Sequence, residues 1–213
     1  MFDVSVHQVA IRVGACLIVM AVHGFALAAI AWALGDRGPK FDGRLTANPF
    51  GHIDVVGTPV MILAQAGWIK PIAIDPAELR WRQLRWGRVG LIVCVLGSLG
   101  ITLVAVALLM QLRIPIQAFL PNAFVPTIIA TLNETVEVTA WFVAFNMLPL
   151  PPLTGMHVLV ALRPTLASLS TRYRLHAALT LGALALSLTF MGVLQVVLQP
   201  VRMAIRGLLP GLY

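Results

Sequence analysis

Two short segments carry the residues whose types and spacing bear on chemistry: His23-Gly24-Phe25-Ala26-Leu27 and, 131 residues later, Leu153-Thr154-Gly155. A histidine buried in an apolar helix is a metal-ligand candidate. Residues at i and i+4 of a helix share a face, so two histidines at that spacing grip one ion, with a glutamate between them serving as base. Catalytic zinc takes three protein ligands and keeps a water in its fourth position. Here His23 remains, but Gly24 stands at the base position and Leu27 at the second ligand position, and the second segment, with Thr154, brings no carboxylate. Leu27 offers hydrocarbon and Thr154 a neutral hydroxyl. One histidine does not retain zinc against water, and Gly24 has no carboxylate to take a proton from an attacking water.

Other polar residues are set in apolar surroundings. Glu134 and Glu137 lie at i and i+3, on one face of a helix. Intramembrane carboxylates are costly unless paired, protonated or near the interface. They read as bundle residues paired with an arginine or hydroxyl, or as a partner contact, an aqueous cavity or a rearranged metal site. His157 lies three positions after Thr154, so a rearranged site drawn from His23, His157 and a carboxylate is the competing chemical reading. His52 and Asp54 read as fixing the geometry of a loop.

These residues sit in a chain built for lipid. The 213 residues are 59% hydrophobic and 11% charged, against about 25% charged in soluble domains. Charge-free windows run from Val13 to Gly35, Val89 to Leu112 and Leu175 to Val201, each beyond the roughly 20 residues that cross the hydrocarbon core. A fourth, Phe124 to Leu148, carries only the two glutamates. The expectation is an all-α integral membrane protein of one domain, residues 1–213. About four full transmembrane helices are expected, the last at 175–199, with a short re-entrant or half-membrane element at 55–69 containing Pro59 and Gly67. The first window exceeds a signal peptide's apolar region and reaches Asp36-Arg37 without a small-residue cleavage site, so it reads as a retained helix. Cys16 and Cys94 fall inside apolar windows and read as small buried hydrophobes.

Net charge is +7, yet the basic residues gather beside the apolar windows, with Arg80, Arg82, Arg85 and Arg88 alternating with Trp81 and Trp86. That pattern reads as an interface anchor rather than a nucleic-acid surface. If 55–69 does not cross, eleven of the fifteen Lys and Arg residues fall on one side and four on the other.

The order of motifs resembles the site-2 protease family of intramembrane zinc metalloproteases. The likeness rests on His23-x-x-Ala26 with Gly35-Asp36, on Gly43-Arg44-Leu45-Thr46-x-Asn48-Pro49-x-x-His52-Ile53-Asp54-x-x-Gly57-Thr58, on Gly67-Trp68-x-Lys70-Pro71, and on Phe145-Asn146-x-Leu148-Pro149-x-Pro151-Pro152-Leu153-Thr154-Gly155. It covers about residues 20–160. The resemblance implies that family's core, with Gly67, Trp68, Lys70 and Pro71 beside a groove that receives a transmembrane segment. Ser98 and Ile101 stand where the family's Ala-Gly-Pro-x-x-Asn motif is expected, so its substrate-holding asparagine is also absent.

The resulting expectation is a pseudoprotease without cofactor or catalytic residue, with zinc only if displaced ligands rebuild a site and the enzyme is active. It would act as a scaffold, accessory or assembly subunit in the lipid bilayer, in a bacterial inner membrane, binding another integral membrane protein. Gly67, Trp68, Lys70, Pro71, Glu134, Glu137, Asn146 and His157 are the candidate contact residues, and nucleic acid is not an expected partner. A transporter using the carboxylate pair would suit the proline-broken helices, but the chain has no internal repeat.

Overall fold

The first charge-free window forms helix α1, Val6–Leu34, which starts earlier than the window because Ser5 and Gln8 cap each other's backbone N–H groups reciprocally. It stops at Gly35, whose φ of 117° suits glycine and turns the chain sharply. The computed structural model describes residues 5–79, 84–166 and 174–190, with isolated positions beyond. The described elements are helical: α2 Gly38–Phe41, a 3-10 turn Pro49–His52, α3 Gly57–Ala64, α4 Leu84–Met110, α5 Arg113–Phe119, α6 Val125–Asn146, α7 Met156–Leu162 and α8 Arg174–Phe190. Among the described residues, three helical stretches are long and apolar enough to cross a membrane: Val6–Leu34, Arg88–Phe119 and Val125–Asn146. The fourth expected span coincides with α8 as far as Phe190, and most of its remainder to 199 lies outside the described residues. So do Arg80, Trp81 and Arg82 of the basic stretch, and the side chains of Arg85 and Trp86.

Pairwise contacts orient the three long helices. His23 of α1 meets Thr102 of α4, while Ile30 packs at Gly97. The later α1 residue thus meets the earlier α4 residue, and the two helices are antiparallel. Arg12 meets Glu134 and His23 meets Phe142, so α6 runs in the same sense as α1. The end of α1 and the start of α4 therefore share one end of the bundle. The described part of the intervening stretch, 35–79, leaves that end along α1 and returns to it.

That stretch is a hairpin laid along α1. On the outward limb, Thr58 donates to Met20 Sδ, and the Ile62 carbonyl accepts from Arg12. The limb is short because α3 has only eight residues, roughly 12 Å of helix. Gln65 reverses the chain with a left-handed φ of 60°. The return limb is extended, with the Lys70 N–H donating to the His52 carbonyl at 2.8 Å and the Asp75 N–H to Asp36 Oδ2 at 2.9 Å. Two glycines permit the limbs to close: a Cβ on Gly57 would lie 2.5 Å from the Trp68 carbonyl, and one on Gly67 2.5 Å from the Gly57 carbonyl.

Depth follows from helix geometry. Arg12 and Trp32 lie roughly 30 Å apart along α1, the thickness of the hydrocarbon core. His23 falls about midway between them.

Candidate functional site

The polar residues at mid-depth of α1 converge on His23, which is fully buried. Thr102 Oγ1 donates to the Ser98 carbonyl at 2.7 Å, as threonines on apolar helices commonly do. With its proton committed, that hydroxyl accepts from His23 Nδ1–H, 3.2 Å away. The lone pair is then left on Nε2, where Thr154 Oγ1 stands at 3.0 Å as a donor, with Asn146 Oδ1 at 3.4 Å the second acceptor for the same proton. Phe142 of α6 closes the ring edge-on, its centroid 4.8 Å from that of the imidazole.

Thr154 reaches this point because the chain folds back over the end of α6. The Gly155 N–H donates to the Asn146 carbonyl at 2.9 Å, and a Cβ on Gly155 would lie 2.4 Å from the Leu148 carbonyl. Asn146 fastens three elements at once. Its Nδ2 donates to the Gly67 carbonyl at 2.8 Å and to the Phe142 carbonyl at 3.0 Å, while its Oδ1 accepts the Thr154 N–H at 3.3 Å. The two segments singled out in the sequence, 131 residues apart, are therefore in direct contact, joined by an asparagine that also holds the hairpin.

The zinc that the family resemblance implies does not fit these residues. The His23 nitrogen free to bind a metal is occupied by the Thr154 hydroxyl, and Leu27, one turn on, is buried hydrocarbon. Among the described residues no three His, Cys, Asp or Glu side chains gather closely enough to hold an ion. The displaced-ligand candidates are dispersed. Glu134 accepts from Arg12 Nε at 2.7 Å and from Gln65 Nε2 at 3.0 Å, close to the level of Arg12, roughly 16 Å along α1 from His23. His157 is turned toward the Ile72 backbone on the return limb. Burial holds its pKa down to about 4.

Position 24 is filled from outside the helix. The His52 imidazole lies against Gly24, and burial holds its pKa below the ordinary histidine value. His52 Nε2 donates to the Thr46 carbonyl at 2.9 Å, leaving a buried Nδ1 without a partner. Asp54 acts as expected on its loop. Its Oδ1 accepts from the Val56 and Gly57 N–H groups, opening α3, and from Trp68 Nε1 at 3.1 Å.

Three of the candidate contact residues are enclosed by the fold. Gly67, Trp68 and Asn146 are buried inside the bundle, with Trp68 among the largest fully enclosed side chains. Gly67 and Trp68 join the hairpin limbs and Asn146 ties them to α6, because the Gly57–Gly67 approach draws the return limb inward. Lys70 is exposed and Pro71 partly so. Glu137 is partly buried and engaged within the fold. Ser98 is buried and donates to the Val95 carbonyl, whereas Ile101 faces outward.

Sequence reasoning passed over Thr102, Gln65 and Arg44. Thr102 was legible as a second hydroxyl, four residues after Ser98, on an apolar helix. Arg44 donates to the Gly51 and Lys70 carbonyls, stitching the 3-10 turn to the return limb; its place in the loop motif was its only signal.

Compared with known proteins, the chain is 28% identical over 151 residues to the Bacillus subtilis (strain 168) protein YwhC, which carries the provisional name of a zinc metalloprotease. The match covers 70% of this chain and 67% of that relative. No family model and no solved structure matches the chain. The chain is thus helical among its described residues, with helices long and apolar enough to cross a membrane, and is related to a protein named as a zinc metalloprotease.

Proposed function

We propose that this chain is a catalytically inactive homologue of the site-2 proteases. It works as a membrane scaffold, accessory or assembly subunit that binds another integral membrane protein, in a bacterial inner membrane. One observation carries the inactivity: both nitrogens of His23 are engaged by threonine hydroxyls, with Thr154 on the lone pair a zinc ion would need. Leu27 supplies no second ligand and Gly24 no base. The retained hairpin and its ties to α1 and α6 support the view that the core itself is what is used. With Trp68 enclosed, a partner would pack laterally on the bundle or near Lys70 and Pro71.

Metal analysis of the protein purified in mild detergent tests the first half, beside a His23→Ala variant. No zinc in either is expected. About one zinc per chain in the parent and none in the variant would overturn the reading. A stoichiometric membrane partner retained under the same detergent is expected for the second half, and a clean single chain would count against it.

The competing reading is an active zinc metalloprotease with displaced ligands, and the name carried by YwhC favours it. It requires carboxylates or His157 to reach within about 2.0–2.2 Å of one ion beside His23. The ties of Glu134 to Arg12 and Gln65 would have to break first.

A further inference from the structure

The corner where α1 turns into α2 presents a different kind of site. Trp32, in the last turn of α1, is half exposed, and Lys40 Nζ stands 5.7 Å above its ring centroid. Residues three and four apart on a helical turn are neighbours, so Arg37, Lys40 and Phe41 share one face of α2. All three are exposed, Phe41 at 80%, while Pro39 faces inward. Neither Arg37 nor Lys40 has an ion-pair partner among the described residues. The neighbouring Asp36 is buried and directs its carboxylate at the Gly38 and Asp75 N–H groups. Asp42 is exposed nearby, so the corner itself presents two cations and one exposed carboxylate.

We propose that this corner binds the headgroup of an anionic phospholipid. Tryptophan places the corner at the bilayer interface. The two cations meet the lipid phosphate, and the exposed Phe41 ring lies against the upper acyl chain. The exposed phenylalanine selects a lipid over a free anion, because water solvates phosphate but not that ring. The proposal is independent of whether the protein cleaves anything.

Native mass spectrometry of the detergent-solubilised chain, titrated with phosphatidylglycerol and separately with phosphatidylcholine, tests it. The parent should retain phosphatidylglycerol preferentially. Arg37→Gln with Lys40→Gln should weaken that binding by about fivefold for each cation removed. Phe41→Ser should weaken both lipids, and Lys70→Gln should change neither. All four positions are exposed, so an unchanged melting temperature should accompany each variant. Equal retention of phosphatidylglycerol by the double variant would overturn the proposal. So would an equal loss in Lys70→Gln, which would reduce the effect to net charge, or full displacement by inorganic phosphate.

Discussion

The His52 imidazole lies where a side chain on Gly24 would begin: a Cβ at position 24 would stand 2.2 Å from His52 Nδ1. Position 24 on α1 is thus filled by the hairpin, and a glycine there lets the hairpin seat against the helix. Gly24→Ala should destabilise the protein by about 1–3 kcal/mol through overpacking. In a His52→Ala background the same change should be neutral, or stabilising by up to about 1 kcal/mol from helix propensity. A double-mutant cycle of unfolding in detergent measures the coupling. Additive effects would show that the ring is not held against the helix.

How the long elements could be read from the sequence, and the contacts could not, is clear at particular residues. Charge-free runs marked α1 and α4, an apolar run interrupted by Glu134 and Glu137 marked α6, and a short apolar run with Pro59 marked the hairpin, because lipid demands length and hydrophobicity locally. The meeting of His23 with Thr154 was foreseen only through the likeness to a zinc site. Nothing local in Arg12, Gln65 or Glu134 announces that they meet, since a tie between distant segments leaves no periodicity. The enclosure of Trp68 carried no local sign, because aromatic residues serve equally well in a groove and in a core. The hydrogen bond from its Nε1 to Asp54, which decides for the core, exists only in three dimensions.

A zinc site should be recoverable from the present geometry. Thr154 Oγ1 already stands 3.0 Å from His23 Nε2, and Leu27 is one helical turn from His23. Leu27→His with Thr154→Asp supplies the two missing ligands. Elemental analysis should find about one zinc per chain in the double variant and none in either parent or single variant. With Gly24 unchanged the variant should bind the metal and still hydrolyse nothing. Absence of zinc from a folded double variant would mean that α1 and the Thr154 turn do not meet as described.

Asn146 should be the costliest single polar position. Its side chain satisfies the Gly67 and Phe142 carbonyls and the Thr154 N–H, all buried. Asn146→Ala strands the Gly67 carbonyl and the Thr154 N–H, while the Phe142 carbonyl keeps its helical partner, and should cost about 2–4 kcal/mol, at about 1–3 kcal/mol for each group stranded and allowing for relaxation. Asn146→Asp should not restore stability, because a carboxylate cannot donate to two carbonyls. Proteolysis near Gln65 should rise in both variants as the hairpin loosens, and unchanged protection there would contradict the role assigned to Asn146.

Arg12 and Glu134 clamp the hairpin tip from the opposite end, with Gln65 and the Ile62 carbonyl completing the set. Glu134→Gln strands a partly buried guanidinium and should cost about 1–3 kcal/mol, the worth of a hydrogen bond to a charged group. Adding Arg12→Gln should recover part of the loss, since removing both charges removes the desolvation that their pairing offsets. Unfolding curves of the two singles and the double distinguish this from independent effects. A double variant as unstable as the sum of the singles would mean that the two side chains do not act as a pair.

Acid should weaken the fold through His157. Burial lowers its pKa from the ordinary 6.5 to about 4 in the folded protein, so between those values the unfolded chain binds more protons than the folded one. Stability from this group is therefore complete above pH 6.5 and is lost as the pH falls toward 4. The melting temperature in detergent should decline across that window, and His157→Gln, which keeps a donor for the Ile72 backbone but does not titrate, should flatten the decline. His52, lowered for the same reason, should supply the slope that remains in His157→Gln. Identical pH profiles for parent and His157→Gln would show that the imidazole is open to water and that α7 does not close over the return limb.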